Sequence, residues 1–258
     1  MINLVSIIAL GFFLGMRHAT DPDHVIAVST IVSRQRSVAR SALIGAFWGI
    51  GHTLTILLVG AGIIAFNLVI PPRLGLSMEF SVAIMLIVLG LMNVLSFQRS
   101  ASALAIRAQP DRQAAHSHER HEGAHPAASQ EHTHAPVTYL DGVFGQMPVY
   151  QYIRPLLIGI VHGLAGSAAV ALLVLTTIRD PYWGVAYLAV FGVGTIAGMM
   201  IITMSLATTI HFIGKSLVFA RGLALVSGII SLAFGMLVAY QIGIVDGLFT
   251  GHPHWRPR

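Results

Sequence analysis

The sequence predicts an all-α polytopic membrane protein of about six transmembrane helices, built as an inverted repeat of two three-helix units. Three observations predict it. Of the 258 residues, 55% are hydrophobic and 10% are charged, whereas a soluble domain carries roughly 25% charged residues to cover its surface. Apolar runs recur that are long enough to cross ~30 Å of hydrocarbon as helices. Glycine-centred motifs in the first half return in the same order in the second.

The runs justify the elements one by one. The first extends from Leu4 to Val32 and is interrupted by Arg17, His18, Asp21, Pro22, Asp23 and His24. The second, Ser41 to Val69, is stopped by Pro71-Pro72, and the third covers Phe80 to Phe97. After a long polar stretch come Pro155 to Ile178, Trp183 to Ile210 and Leu217 to Ile242. Lipid offers backbone groups no hydrogen-bond partner, so such runs read as helices and not as loops or open strands. The expected organisation is a first membrane unit over 1–97, a polar cytoplasmic loop over 98–152, a second unit over 153–245 and a short tail over 246–258.

The repeat rests on three matches. Gly15-Met16-Arg17-His18 answers to Gly159-Ile160-Val161-His162, offset by 144 residues. Gly49-Ile50-Gly51-His52 answers to Gly192-Val193-Gly194-Thr195 at 143, and Gly90-Leu91-Met92 to Gly235-Met236-Leu237 at 145. An odd number of spans per unit inverts the second copy relative to the first, an architecture of secondary transporters with binding at the repeat interface. Most of the other glycines need no more than close helix approach to explain them.

Charge supplies orientation and exclusions. Arg34, Arg36 and Arg40, the flanks of the 98–152 loop, and Lys215 with Arg221 fall on one side, which the positive-inside rule makes cytoplasmic. Both termini are then outside, in the inner membrane of the cell. The net charge of +5 is spread over short connections and forms no nucleic-acid-binding patch. Cysteine is absent, which excludes thiolate metal sites and disulfides. The first residues lack the basic start of a cleavable signal. No phosphate-binding loop is present, so ATP coupling would need another subunit.

The chemistry concentrates in His18-Ala19-Thr20-Asp21-Pro22-Asp23-His24. Two carboxylates and two imidazoles inside an apolar run are costly unless paired, hydrated or liganded. The alternative is a solvated turn at the membrane edge. Pro22 should break the helix, and Asp21 before it reads as the N-cap of a second half-helix with proline at N1. The break lets His18, Asp23 and His24 turn toward one point. Arg17 would face headgroups or pair with a carboxylate. His52 and His162 are lone imidazoles in other runs, which either hydrogen-bond a neighbouring helix or face the same cavity. Asn93, Thr195, Thr203 and Ser205 are candidates to support such a site from behind. Imidazole with carboxylate suits Ni²⁺, Co²⁺ or Zn²⁺ better than Mg²⁺ or Ca²⁺.

The 98–152 loop carries His116, His118, His121, His125, His132 and His134 among prolines, alanines and glutamates. It has no apolar period, so the expectation is a disordered, accessory metal-collecting tract, a polar linker being the alternative.

Arg17-His18-Ala19-Thr20-Asp21-Pro22-Asp23-His24 resembles the His-x4-Asp-His signature of the nickel/cobalt transporter family, and Gly51-His52-Thr53 is similar to its second motif. The resemblance implies metal-binding roles for His18, Asp21, Asp23, His24 and His52. It is strongest over residues 10–60. The later acidic motif of eight-span members is absent, and His162-Gly163-Leu164-Ala165-Gly166-Ser167 in its place resembles the shorter branch of urease-accessory and nickel-export-like membrane proteins. The expected function is transmembrane transport of Ni²⁺ or Co²⁺ by a secondary carrier and not an enzyme. The rival is a non-transporting membrane accessory that delivers metal to a metallochaperone or maturation partner, and a metal-dependent membrane hydrolase comes third.

Overall fold

The computed structural model describes residues 4–33, 35, 37–66, 70–107, 150–178, 180–213, 217–250 and 252–255. The described residues form seven α-helices and no strand. They are α1 (Leu4–His18), α2 (Pro22–Val32), α3 (Val38–Phe66), α4 (Pro72–Arg107), α5 (Tyr150–Thr177), α6 (Pro181–Ile213) and α7 (Leu217–Tyr240). Four stretches, Val38–Phe66, Pro72–Gln98, Pro181–Phe212 and Gly222–Val245, are long and apolar enough to cross a membrane. The protein is a multi-pass membrane protein. The histidine-rich tract, His116 to His134, lies outside the described residues, and α4 carries on as helix ten residues past Phe97, to Arg107.

The first apolar run is broken where proline demands it. α1 ends at His18, and α2 begins at Pro22 with Asp21 at the N-cap in an extended conformation. The corresponding stretch of α5 is continuous, because residues 165–168 are Ala-Gly-Ser-Ala where the first half has Asp-Pro-Asp-His.

Helices meet at glycines, and the meetings are reciprocal. A Cβ at Gly15 would strike the Phe191 carbonyl, and one at Gly159 the Trp48 carbonyl. Gly194 lies against the Phe12 carbonyl and Gly51 against that of Leu156. Gly49 meets Ile196 while Gly192 meets Thr53, and Gly90 meets Leu232 while Gly235 meets Ile87. Each pair becomes the other when residues are exchanged at the repeat offsets.

Along α3 and α6, residues 45, 49 and 53 face 199, 196 and 192, so these helices run antiparallel. The same holds for α4 and α7, where 87 and 90 face 235 and 232. A two-fold that exchanges antiparallel neighbours must lie across the helix axes. For helices that span a bilayer, such an axis lies in the membrane plane, which is the geometry of an inverted repeat.

The contacts are supported by few but well-placed hydrogen bonds. Thr53 Oγ1 donates to the Gly192 carbonyl at 3.1 Å, Thr55 Oγ1 to that of Ile160 at 3.1 Å, and Ser231 Oγ to that of Leu86 at 2.9 Å. Beyond α7 the helix widens into a π turn over Gln241–Val245, and the chain reverses at Gly247, whose φ of +84° favours glycine. The returning tail places the Trp255 ring against Gly75, with its indole N–H donating to Glu79 Oε1 at 2.9 Å.

Candidate metal centre

Three elements build the site: the α1–α2 break, the middle of α3 and the first half of α5. Gly51 and Gly159 let the α3 and α5 backbones close on each other. His52 and His162 are thereby brought to the break, where the end of α1 offers His18 and the start of α2 offers Asp23 and His24.

The four imidazoles form one cluster. The His24 ring centroid lies 4.7 Å from that of His18, 5.1 Å from that of His52 and 4.0 Å from that of His162. His18 also stacks on His52 at 5.2 Å, and Phe191 walls it at 5.5 Å. His24, His52 and His162 are buried, whereas the His18 side chain is 18% exposed and that of Asp21 46%. The cluster therefore opens on the Asp21 side.

Hydrogen bonds fix which ring nitrogens are free. An ionised carboxylate only accepts, so the imidazole nitrogen facing it carries the proton. Asp23 accepts from His24 Nδ1 at 3.1 Å through Oδ1 and from His162 Nε2 at 2.9 Å through Oδ2. Asp21 Oδ2 accepts from His18 Nδ1 at 2.8 Å. The neutral rings are then left with lone pairs on His18 Nε2, His24 Nε2 and His162 Nδ1. Of these, His24 Nε2 and His162 Nδ1 are buried and have no hydrogen-bond partner among the described residues, and the same holds for His52 Nδ1. Asp21 occupies the N-cap position but spends its side chain on His18 and makes no cap hydrogen bond.

The nitrogens suit a transition-metal ion. The ligand atoms of His18, His24 and His52 lie within 4.8 Å of one another, as do those of Asp23, His24 and His162. His18 Nε2 and His52 Nε2 are 3.2 Å apart. Two imidazoles bonded to one ion at ~2.0–2.1 Å are held about 2.9 Å apart at a right angle and about 3.4 Å apart at the tetrahedral angle. The observed separation falls between these limits. In the second group both histidines hydrogen-bond the Asp23 carboxylate, the arrangement in which a carboxylate orients metal-ligating imidazoles.

The model of a family described as NicO, high-affinity nickel-transport protein, matches residues 4–251. The chain belongs to the NicO family. It is also 36% identical over 248 residues to the urease accessory protein UreH of Bacillus sp. (strain TB-90), covering 96% of each chain. No solved structure matches. Membership of this family makes the protein a member of a nickel-transport family and not of an enzyme family.

In this NicO protein the other residues singled out from sequence lie elsewhere. Asn93 Nδ2 donates to the Thr30 carbonyl at 2.9 Å, tying α4 to α2. Thr195 and Thr203 donate to carbonyls of their own helix, and Ser205 is exposed. Arg17 is exposed, and the carboxylates near it are engaged by histidines. The residue that pattern reading passed over is Trp48. It is fully buried with its ring centroid 5.7 Å from that of His162, and its indole nitrogen has no hydrogen-bond partner among the described residues. Its position four residues before His52, on the same helix face, was the available signal.

Proposed function

We propose that this chain carries Ni²⁺ across the cell inner membrane as a secondary carrier, with Co²⁺ as the closest substitute. The observation behind the proposal is the convergence of imidazoles on the α1–α2 break, His18, His24 and His52 from the first unit and His162 from the second, with His18 Nε2 and His52 Nε2 at a separation that fits a shared ion. The donor chemistry favours divalent transition ions over Mg²⁺ and Ca²⁺. His18, His24 and His52 bind the ion, Asp21 and Asp23 hold rings in place, and His162 of the second unit stands against His24 beside it. The ion enters past the exposed Asp21 and leaves part of its water behind. Relative movement of the two inverted units then turns the site toward the other side.

A specific observation favours a second reading. The Bacillus relative is named a urease accessory protein, so the chain can also be read as a membrane accessory that hands metal to a maturation partner without moving it. Proteoliposomes with an imposed Ni²⁺ gradient separate the two. A carrier moves ions in saturable fashion, whereas a scaffold binds them with no flux above empty vesicles.

The loop histidines His116, His118, His121, His125, His132 and His134 are proposed to collect metal apart from the transport path. Deleting residues 113–135 is expected to lower the bound-metal stoichiometry and to leave saturated flux intact. Loop binding should be lost as pH falls through ~6.5, where imidazoles protonate and protons displace metal. Complete loss of saturated flux in folded protein would refute the separation.

A further inference from the structure

Trp48 lies beside the imidazole cluster and is unaccounted for by packing alone. An indole N–H is a donor and never an acceptor. Its burial without a partner costs about 1–3 kcal/mol, which a phenylalanine would avoid. The indole cannot bind a cation through this nitrogen, since it has no lone pair to give. What it can recognise in this cavity is a hydrogen-bond acceptor.

A matching group stands next to it. His162 Nε2 donates to Asp23, which leaves His162 Nδ1 as a buried acceptor with no partner. The Trp48 and His162 ring centroids are 5.7 Å apart with the planes tilted by 54°. Gly159 leaves room for the indole Cδ1 edge, adjacent to the N–H, on α5 less than one turn before His162. The His162 ring lies 4.0 Å, centroid to centroid, from that of His24, a ligand under the proposed function.

We propose that Trp48 and His162 hold between them a water molecule that the ion retains as a ligand, which makes Trp48 a positioning residue for a partly hydrated ion. This rests on the metal-binding reading above. A metal-bound water keeps one lone pair and two protons. The lone pair accepts from the indole N–H, and one proton goes to His162 Nδ1. Both stranded nitrogens are then satisfied by one molecule, and the chain of bonds continues through His162 Nε2 to Asp23 and His24. The ion is thereby held by the nitrogens of His18, His24 and His52 together with an oxygen that the protein does not itself supply. An ion stripped of all water is not the species bound.

The test uses the purified full chain loaded with Co²⁺, whose electron paramagnetic resonance broadens when an oxygen-17 nucleus is bound to the metal. In water enriched in oxygen-17 the wild type should show one coupled oxygen. Trp48→Phe, which keeps an aromatic ring and removes the donor, should lose that coupling and bind Co²⁺ about tenfold more weakly, the equivalent of one hydrogen bond. Co²⁺ bound by the wild type with no oxygen-17 coupling would overturn the inference and leave the metal-binding reading standing. Unchanged coupling and affinity in Trp48→Phe would overturn Trp48's part in it. If that variant fails to fold, the wild-type measurement decides alone. Failure of the wild type to bind Co²⁺ or Ni²⁺ would sink both readings together.

Discussion

Alanine at His24 should abolish Ni²⁺ binding by the purified protein and Ni²⁺ flux in proteoliposomes while the chain still inserts. No other imidazole is as central: its ring approaches those of His18, His52 and His162, all within 5.1 Å centroid to centroid. Its Nδ1 proton is held by Asp23, which aims Nε2 inward. Asparagine at position 23 should weaken Ni²⁺ binding about 10–100-fold, the usual cost of losing a partner that orients a ligand. His24 and His162 donate to different oxygens of Asp23, and an amide replaces one of these with an NH₂ donor, so it cannot accept from both histidines in this geometry. Asp21→Asn should cost less, because Asp21 serves one histidine and is 46% exposed. Calorimetric titration with Ni²⁺ orders the three variants. Wild-type affinity and flux in both His18→Ala and His24→Ala would remove the site as proposed.

The second large effect is expected at a helix crossing. Gly159→Ala adds one methyl group where the Trp48 carbonyl and indole already stand, so α3 and α5 must separate. Overpacking of this kind costs about 1–3 kcal/mol. Gly15→Ala should cost a similar amount, because Gly15 makes the equivalent contact with Phe191 in the other half. Gly62→Ala is the control, since no atom of the described residues lies within 4 Å of its added carbon. Thermal unfolding in one detergent ranks the variants. A Gly159 variant as stable as the Gly62 variant would contradict the close crossing.

Much of this architecture was legible from residue order. Apolar runs marked the helices, proline at position 22 marked the break, and the constant spacing of glycine motifs marked the duplication. The glycines do more than the spacing implied, since they are the crossing points themselves. Which charged group does what was harder to read. Asp21 has the position of a helix cap, yet a cap and a histidine partner look alike in sequence, and the fold selects the histidine. Asp23 belongs with the imidazoles by proximity, but only its two hydrogen bonds reveal it as the group that aims them. Trp48 was easy to pass over, because an aromatic residue in an apolar helix reads as core and its spacing from His52 gains meaning only once its neighbours are known. The seat of Trp255 against Gly75 and Glu79 depends on contacts across about 180 residues, and no local pattern announces such pairs.

The reciprocal crossings have an energetic consequence. Two halves that make the same contacts in exchanged roles define a second arrangement of the whole molecule, in which each half adopts the shape of the other. The crossing glycines, Gly15 and Gly159, Gly51 and Gly194, Gly49 and Gly192, occur in both halves and would serve either arrangement. The two arrangements are told apart by side chains that differ between the halves, among them Asp21, Pro22, Asp23 and His24 opposite residues 165–168, Trp48 opposite Phe191, His52 opposite Thr195, and the returning tail. Several of these lie at the candidate metal centre. An ion shifts a balance only by its difference in affinity for the two arrangements, and under the proposed function two residues that would bind it, His24 and His52, are among those that differ between the halves.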